Sequence, residues 1–229
     1  MTANSISGDG MSRKRVAILI SGRGSNMAAL IEAAKDKTFP AEIVLVLSNR
    51  PDAAGLNFAS AAGIATVVVD HKVYGKDRAA FDSAMQAVLE QYRIELLCLA
   101  GFMRLLTDGF VNHWQGRMIN IHPALLPAFK GLDTHQRALD AGAKVHGATV
   151  HFVVPEMDAG PIIMQGAVTV RAEDSAQTLA ARVLAVEHQI YPHALKLVAE
   201  GRVQIVDGRC LIDGMPVPDA AQVTPADLG

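Results

Sequence analysis

Over the first hundred positions, short unbroken apolar runs alternate with stretches of helical period. Residues 15–20 contain Val16, Ala17, Ile18, Leu19 and Ile20 without a polar break, the pattern of a strand buried on both faces of a parallel sheet. A turn, Ser21-Gly22-Arg23-Gly24-Ser25-Asn26, separates it from a helix predicted over residues 27–34. Further strands are predicted over residues 42–48, 66–69 and 96–100. Between them lie an alanine-rich helix over residues 52–62, ended by Gly63, and a helix over residues 77–92 with Phe81, Met85, Val88 and Leu89 on one side. Strands alternating with helices imply an α/β fold: a mostly parallel twisted sheet, Rossmann-like in the N-terminal half, with helices on both faces.

The rhythm changes after residue 117. Residues 118–121 are strand-like and run into a proline-rich loop, residues 145–154 alternate, and residues 161–170 read as one or two strands, so mixed strands are expected in the C-terminal half. Residues 177–199 form a long helical pattern, expected to bend near Pro192. A hairpin over residues 203–206 and 209–212 turns on Asp207-Gly208. The chain reads as one domain, residues 15–215, between an N-terminal tail (1–14) and a C-terminal tail (216–229). Met11 is a second candidate start.

Composition narrows the function classes. Half of the 229 residues are apolar, enough for a sizeable core, and the formal net charge of −2 offers no basic footprint for a nucleic acid. Small-molecule partners are therefore expected. Neither a membrane span nor a secretory signal is indicated, and a cytoplasmic location follows. The two cysteines, Cys98 and Cys210, form no disulfide framework and no metal-binding pair; Cys98 sits in an apolar run as a small buried thiol.

Ligands of such sheets bind at the carboxyl ends of the strands, which singles out the loops after Ile20, Ala100 and Ile121. In the first, Gly24, Ser25 and Asn26 precede a helix whose leading amides suit a phosphate; the alternative is an ordinary turn with Ser25 or Asn26 as the helix cap. In the third, Asn120 and His122 stand two apart and leave the same strand face, and Pro123 and Pro127 stiffen the loop beyond them. An amide and an imidazole N–H can both donate to one developing oxyanion, and a histidine can move a proton near neutral pH. Asp158, in Asp158-Ala159-Gly160-Pro161, reads either as a solvated turn residue or as a carboxylate that orients a histidine. Glu187 falls on the apolar stripe Leu179, Val183, Ile190, Ala194, Val198. A carboxylate there needs an arginine, or an ammonium group brought by a ligand.

Taken together, these pieces resemble the 10-formyltetrahydrofolate-dependent phosphoribosylglycinamide formyltransferases of the formyltransferase superfamily. The matching stretches begin at Ile20-Ser21-Gly22-Arg23-Gly24-Ser25-Asn26, Leu99-Ala100-Gly101-Phe102-Met103-Arg104-Leu105-Leu106 and Asn120-Ile121-His122-Pro123-Ala124-Leu125-Leu126-Pro127. His146-Gly147-Ala148-Thr149-Val150-His151-Phe152, Asp158-Ala159-Gly160-Pro161 and Glu187-His188-Gln189-Ile190-Tyr191-Pro192 follow in family order. Minor departures are Ala128-Phe129-Lys130 after the second proline and Ala159 where glycine is common. The resemblance implies Asn120, His122 and Asp158 as the catalytic centre, and Gly24, Ser25, Asn26 and Glu187 as the ribonucleotide site, with Glu187 on the glycinamide amine. It implies Arg78, Met103, Arg104, Leu105, Leu106 and Asn120 on the folate side. The co-substrate would be 10-formyltetrahydrofolate, with no metal, and the enzyme a monomer or homodimer in purine synthesis. Rival readings are a formyltetrahydrofolate hydrolase, expected to carry a further N-terminal domain, a methionyl-tRNA formyltransferase, expected to carry a further C-terminal one, and a non-catalytic nucleotide-binding module.

Overall fold

A computed structural model of the chain describes residues 12–216 and 222–223. The N-terminal half runs β1 (Lys14–Ile20), α1 (Ser25–Ala34), β2 (Ala41–Ser48), α2 (Gly55–Ala61), β3 (Ala65–Val68), α3 (His71–Tyr74), α4 (Arg78–Gln91) and β4 (Leu96–Leu99). It continues with α5 (Asp108–His113), β5 (Met118–His122), α6 (Thr134–Asp140), β6 (Val145–Phe152), β7 (Ile162–Thr169) and α7 (Ala176–Ala199). A small sheet of β8 (Val203–Val206), β9 (Arg209–Ile212) and β10 (Met215–Pro216) comes next, then β11 (Gln222–Val223).

The main sheet has the order β11-β7-β6-β5-β4-β1-β2-β3. The β3-β2-β1-β4-β5 block is parallel throughout. Antiparallel pairing begins at β5-β6 and continues at β6-β7. The fold is therefore the expected α/β arrangement with a mostly parallel sheet. Strand order reverses direction at β1, so the crevice beyond the carboxyl ends of β1 and β4 is the topological switch point where ligands bind.

Two apolar layers cover the sheet, and β1 alternates between them. Val16, Ile18 and Ile20 join Met27, Leu30 and Ile31 of α1 and Leu179, Val183, Ile190 and Tyr191 of α7. Ala17 and Leu19 join Phe81, Met85 and Leu89 of α4 and Phe110, Val111 and Trp114 of α5. Each fully buried Leu, Ile or Phe contributes about 1.5–3 kcal/mol by leaving water. The second layer ends at Met118 on β5. Beyond that residue the same side of β5 and β6 carries Asn120, His122, Thr149 and His151, so the apolar layer gives way to polar chemistry where the strand reaches its carboxyl end.

Several expectations are corrected. Residues 71–74, 108–113 and 134–140 are helical where no helix was expected, and Arg78 opens the fourth helix, not the third. Within the expectations, residues 162–169 form one strand and Pro192 lies inside a single long helix, α7. The N-terminal tail is shorter than 1–14, because Lys14 lies in β1 and Arg13 donates to the carbonyls of Ala34, Phe39 and Ala41. Residues 1–11 lie outside the described residues, as does most of the tail read over 216–229; within that tail, β11 pairs with β7. No helix among the described residues is long and apolar enough to cross a membrane.

Candidate active site

The loop after β1 makes its turn at Gly24, whose φ of 74° places it in the left-handed region. A Cβ there would come within 2.9 Å of Met27 Cε, which can swing aside, and 3.2 Å of Gly55 Cα, so the left-handed backbone and the close approach to Gly55 both favour glycine. Gly24 is also the residue that caps α1, with no side-chain cap; Ser25 and Asn26 are the first helical residues, not the cap. Their leading amides and side chains face a cavity of about 420 Å³. Its walls come from the carboxyl ends of β1, β2 and β4 and from His71 beyond β3, and three arginines, Arg23, Arg50 and Arg104, border it. Helix amides, a dipole end and cationic side chains together suit an anion.

Glu187, on α7, meets Asn26, which lines this cavity. It is buried, and its Oε2 accepts a 2.6 Å hydrogen bond from Asn26 Nδ2. Burial pushes its carboxyl up, and the Asn26 amide pulls it partly back. The apolar-stripe carboxylate thus meets the asparagine of the glycine-serine-asparagine turn, at the positive end of α1, and not an arginine. The Oδ1 of Asn26 is buried and meets no hydrogen-bond partner among the described residues.

One strand away, β5 presents Asn120 and His122. Leu99 pairs with Asn120 across β4-β5, so this second cluster adjoins the mouth of the cavity. His122 is buried. Its Nε2 lies 3.0 Å from the carbonyl of Phe129, which can only accept, so Nε2 carries a proton. Its Nδ1 faces Asp158 Oδ2 at 3.4 Å. That approach sets the carboxylate beside the ring, where it can orient His122 and exchange a proton with it. Asp158 is held in place by the Gly131 amide, which donates to Oδ2 at 2.8 Å. Phe129 and Asp158 both take left-handed backbone, φ 54° and 50°, unusual for a bulky residue and tolerated by an aspartate. Both of these strained residues contact His122.

His151 completes the cluster, and sequence reasoning gave it no role. It lies directly across from Asn120 in the β5-β6 ladder. Its Nδ1 donates to the Phe152 carbonyl at 2.8 Å, leaving Nε2 to accept from Asn120 Nδ2 at 3.2 Å. Burial pushes His151 down, which suits this neutral acceptor role. One N–H of Asn120 is thereby fixed, and the other makes no hydrogen bond among the described residues. The loop after β5 is stiffened from behind. Thr149 Oγ1 donates to the Ala124 carbonyl at 2.7 Å and accepts from the Leu126 amide at 3.0 Å, while Thr134 Oγ1 donates to the Pro123 carbonyl at 2.6 Å.

The structure therefore brings Gly24, Ser25, Asn26, Met103 and Arg104 to one cavity, and Asn120, His122 and Asp158 to an adjoining cluster. Leu105 and Leu106 come next on the same loop but do not line the cavity, and Arg78 is exposed at the first position of α4. Ser21, Asn49, Arg50 and His71 line the cavity without having been singled out. Among the described residues no group of three or more His, Cys, Asp or Glu is arranged to hold a metal ion.

A family model described as formyl transferase matches residues 14–195. The chain belongs to the formyl transferase family. The phosphoribosylglycinamide formyltransferase of Escherichia coli (strain K12) is 42% identical over 203 residues, covering 89% of this chain and 95% of that one. The trifunctional purine biosynthetic protein adenosine-3 of Bos taurus is 52% identical over 193 residues, which is 84% of this chain and 19% of that protein. The chain thus spans about a fifth of the length of such trifunctional relatives. A solved structure of phosphoribosylglycinamide formyltransferase from Coxiella burnetii superimposes with a TM-score of 0.86 at 42% identity, covering 93% of this chain and 99% of that one.

A further pair of histidines lies behind the loop after β5. His146 Nε2 is 3.2 Å from His135 Nδ1, and Phe129 packs against His146. Burial and then the neighbouring His135 push His146 down to about 4, and burial lowers His135 too. Between the ordinary histidine value, near 6.5, and about 4, the unfolded chain binds protons that the folded one does not. Stability from these groups is present in full above pH 6.5 and is lost as the pH falls toward 4. A melting temperature that drops across this window, with a shallower drop in His146→Gln, is the expected result; equal slopes in both proteins would count against it.

Proposed function

We propose that the protein transfers the formyl group of 10-formyltetrahydrofolate to the amine of N1-(5-phospho-D-ribosyl)glycinamide, a step of purine synthesis. The observation that carries this reading is the Asn120, His122 and Asp158 cluster set beside an anion-suited cavity at the switch point. Gly24, Ser25 and Asn26 take the ribonucleotide phosphate, and Glu187 takes the glycinamide amine. Met103, Arg104, Leu105, Leu106 and Asn120 take the folate, with Arg78 on its outer side. The transferase unit is the domain read over residues 15–215, extended at its start by Arg13 and Lys14. On this reading the protein works in the cytoplasm, as a monomer or a homodimer.

The amine attacks the formyl carbon directly, a new C–N bond forms, and charge gathers on the former carbonyl oxygen. The free N–H of Asn120 donates to that oxygen. The His122 Nε2 proton, held by the Phe129 carbonyl, is transferred to it while Nδ1 stays with Asp158, and returns to Nε2 when the intermediate collapses to the formamide. The proton lost by the amine passes by way of Asp158 and water to the folate nitrogen as the old C–N bond breaks. No protein nucleophile takes part.

Following folate absorbance with and without the ribonucleotide tests the reading. Consumption only when the ribonucleotide is present supports it. Consumption without it favours a hydrolase, and binding without turnover favours a binding module. Glu187→Gln is expected to raise the KM for the ribonucleotide by about ten- to a hundredfold, the size of a lost hydrogen bond to a charged group, with the folate KM unchanged. An unchanged ribonucleotide KM would remove Glu187 from the amine site.

A further inference from the structure

Ser21 belongs to neither set of proposed ligand contacts, yet it touches both loops that carry them. Its own N–H donates to the Gly101 carbonyl at 3.2 Å. Its hydroxyl accepts the Met103 amide at 2.7 Å and donates to Asn49 Oδ1 at 2.6 Å. Ser21 is 6% exposed and Asn49 2%. The Asn49 carbonyl in turn accepts from His71 Nδ1 at 2.8 Å and from the His71 amide at 3.2 Å. Four loops, those after β1, β2, β3 and β4, are thus drawn to one buried polar point beneath the cavity.

The loop from β4 to α5 needs such a point. The Met103 side chain is 68% exposed, so apolar burial does not set the position of this residue. Further along, the Thr107 amide is held by Asp82 Oδ2 at 2.7 Å. Between β4 and Thr107, the backbone of the loop is bonded to the turn after β1 only through residue 21, among the described contacts.

We propose that Ser21 is a positioning residue that couples the ribonucleotide and folate subsites, so that each ligand tightens the binding of the other. This rests on the assignment of the ribonucleotide to residues 22–26 and of the folate to residues 103–106. A phosphate on the amides that follow Ser21 fixes the turn in the geometry in which its hydroxyl meets Met103 N–H. A folate loop already fixed loses less entropy when it takes up its ligand. Linkage makes the effect reciprocal.

Tetrahydrofolate, which has no formyl group to transfer, is titrated calorimetrically into the unaltered protein with and without glycinamide ribonucleotide. The expected affinity is about tenfold higher with the ribonucleotide, the size of one buried hydrogen bond preserved. In Ser21→Ala the ratio falls to about one and the folate KM rises about tenfold, while kcat at saturation of both substrates stays within about threefold. Ser21→Thr, which keeps the hydroxyl, restores the ratio. A merely structural role would not move this ratio in a folded variant. Equal affinities with and without the ribonucleotide in the unaltered protein overturn the coupling without any variant, as does a parental ratio in Ser21→Ala. Failure of the unaltered protein to bind either ligand overturns the functional reading itself, a different result.

Discussion

Asp158→Asn and His122→Ala are each expected to lower kcat by about two to three orders of magnitude, with both KM values within about threefold of the parent. The asymmetry follows from the contacts. An asparagine at position 158 keeps an oxygen for the Gly131 amide, so the loop stays where it is. It loses only the negative charge that faces His122 Nδ1 at 3.4 Å, and with it the electrostatic support for a ring poised to donate. His122→Ala removes the donor itself, together with its anchor on the Phe129 carbonyl. Interactions made only in the transition state appear in kcat, not in KM. Steady-state kinetics of both variants, with circular dichroism to confirm folding, check this. Near-parental turnover in either would remove that residue from the chemistry.

Gly160→Ala is expected to be the most disruptive single methyl near the site. A Cβ at Gly160 would stand 1.8 Å from the Phe152 carbonyl oxygen, and 2.9 Å from its carbon, so backbone must move. That carbonyl is the acceptor for His151 Nδ1, and the Phe152 amide is bonded to the Pro161 carbonyl at 2.9 Å. The displaced segment begins two residues after Asp158. Overpacking against backbone costs about 1–3 kcal/mol or more. The expected outcome is a melting temperature lower by several degrees and a kcat that falls alongside it, because His151 no longer fixes Asn120 and Asp158 no longer faces His122. A variant with parental stability and turnover would show that the corner tolerates a side chain.

Particular residues show where the sequence was informative and where it was not. The run Val16–Ile20 marks a strand covered on both sides, because each residue enters one of the two apolar layers. Asn120 and His122 are legible for the converse reason: they interrupt the apolar side of β5 at its carboxyl end. The short helices were missed because four to seven residues give too little periodicity, although Asp70 and Thr107 carry the cap signal for two of them. The third, α6, follows Asp133 in the left-handed region with no side-chain cap to announce it. Asp158 could not be joined to His122 from spacing, since the contact depends on two loops meeting at the Gly131 amide. His151 depends on the register of an antiparallel ladder, which sets Asn120 opposite it and which no local pattern fixes. Glu187 was conspicuous as a carboxylate on an apolar stripe, but its partner Asn26 lies 161 positions away.

Direct transfer between the two substrates is tested by the fate of the formyl carbon. The protein is incubated with 10-formyltetrahydrofolate labelled in the formyl group, together with glycinamide ribonucleotide, and the label is followed by chromatography. Under direct transfer, label leaves the folate only when the ribonucleotide is present and is recovered in the formylated ribonucleotide, with none as free formate and none bound to the protein. Label released as formate, or trapped on the chain, would rule direct transfer out.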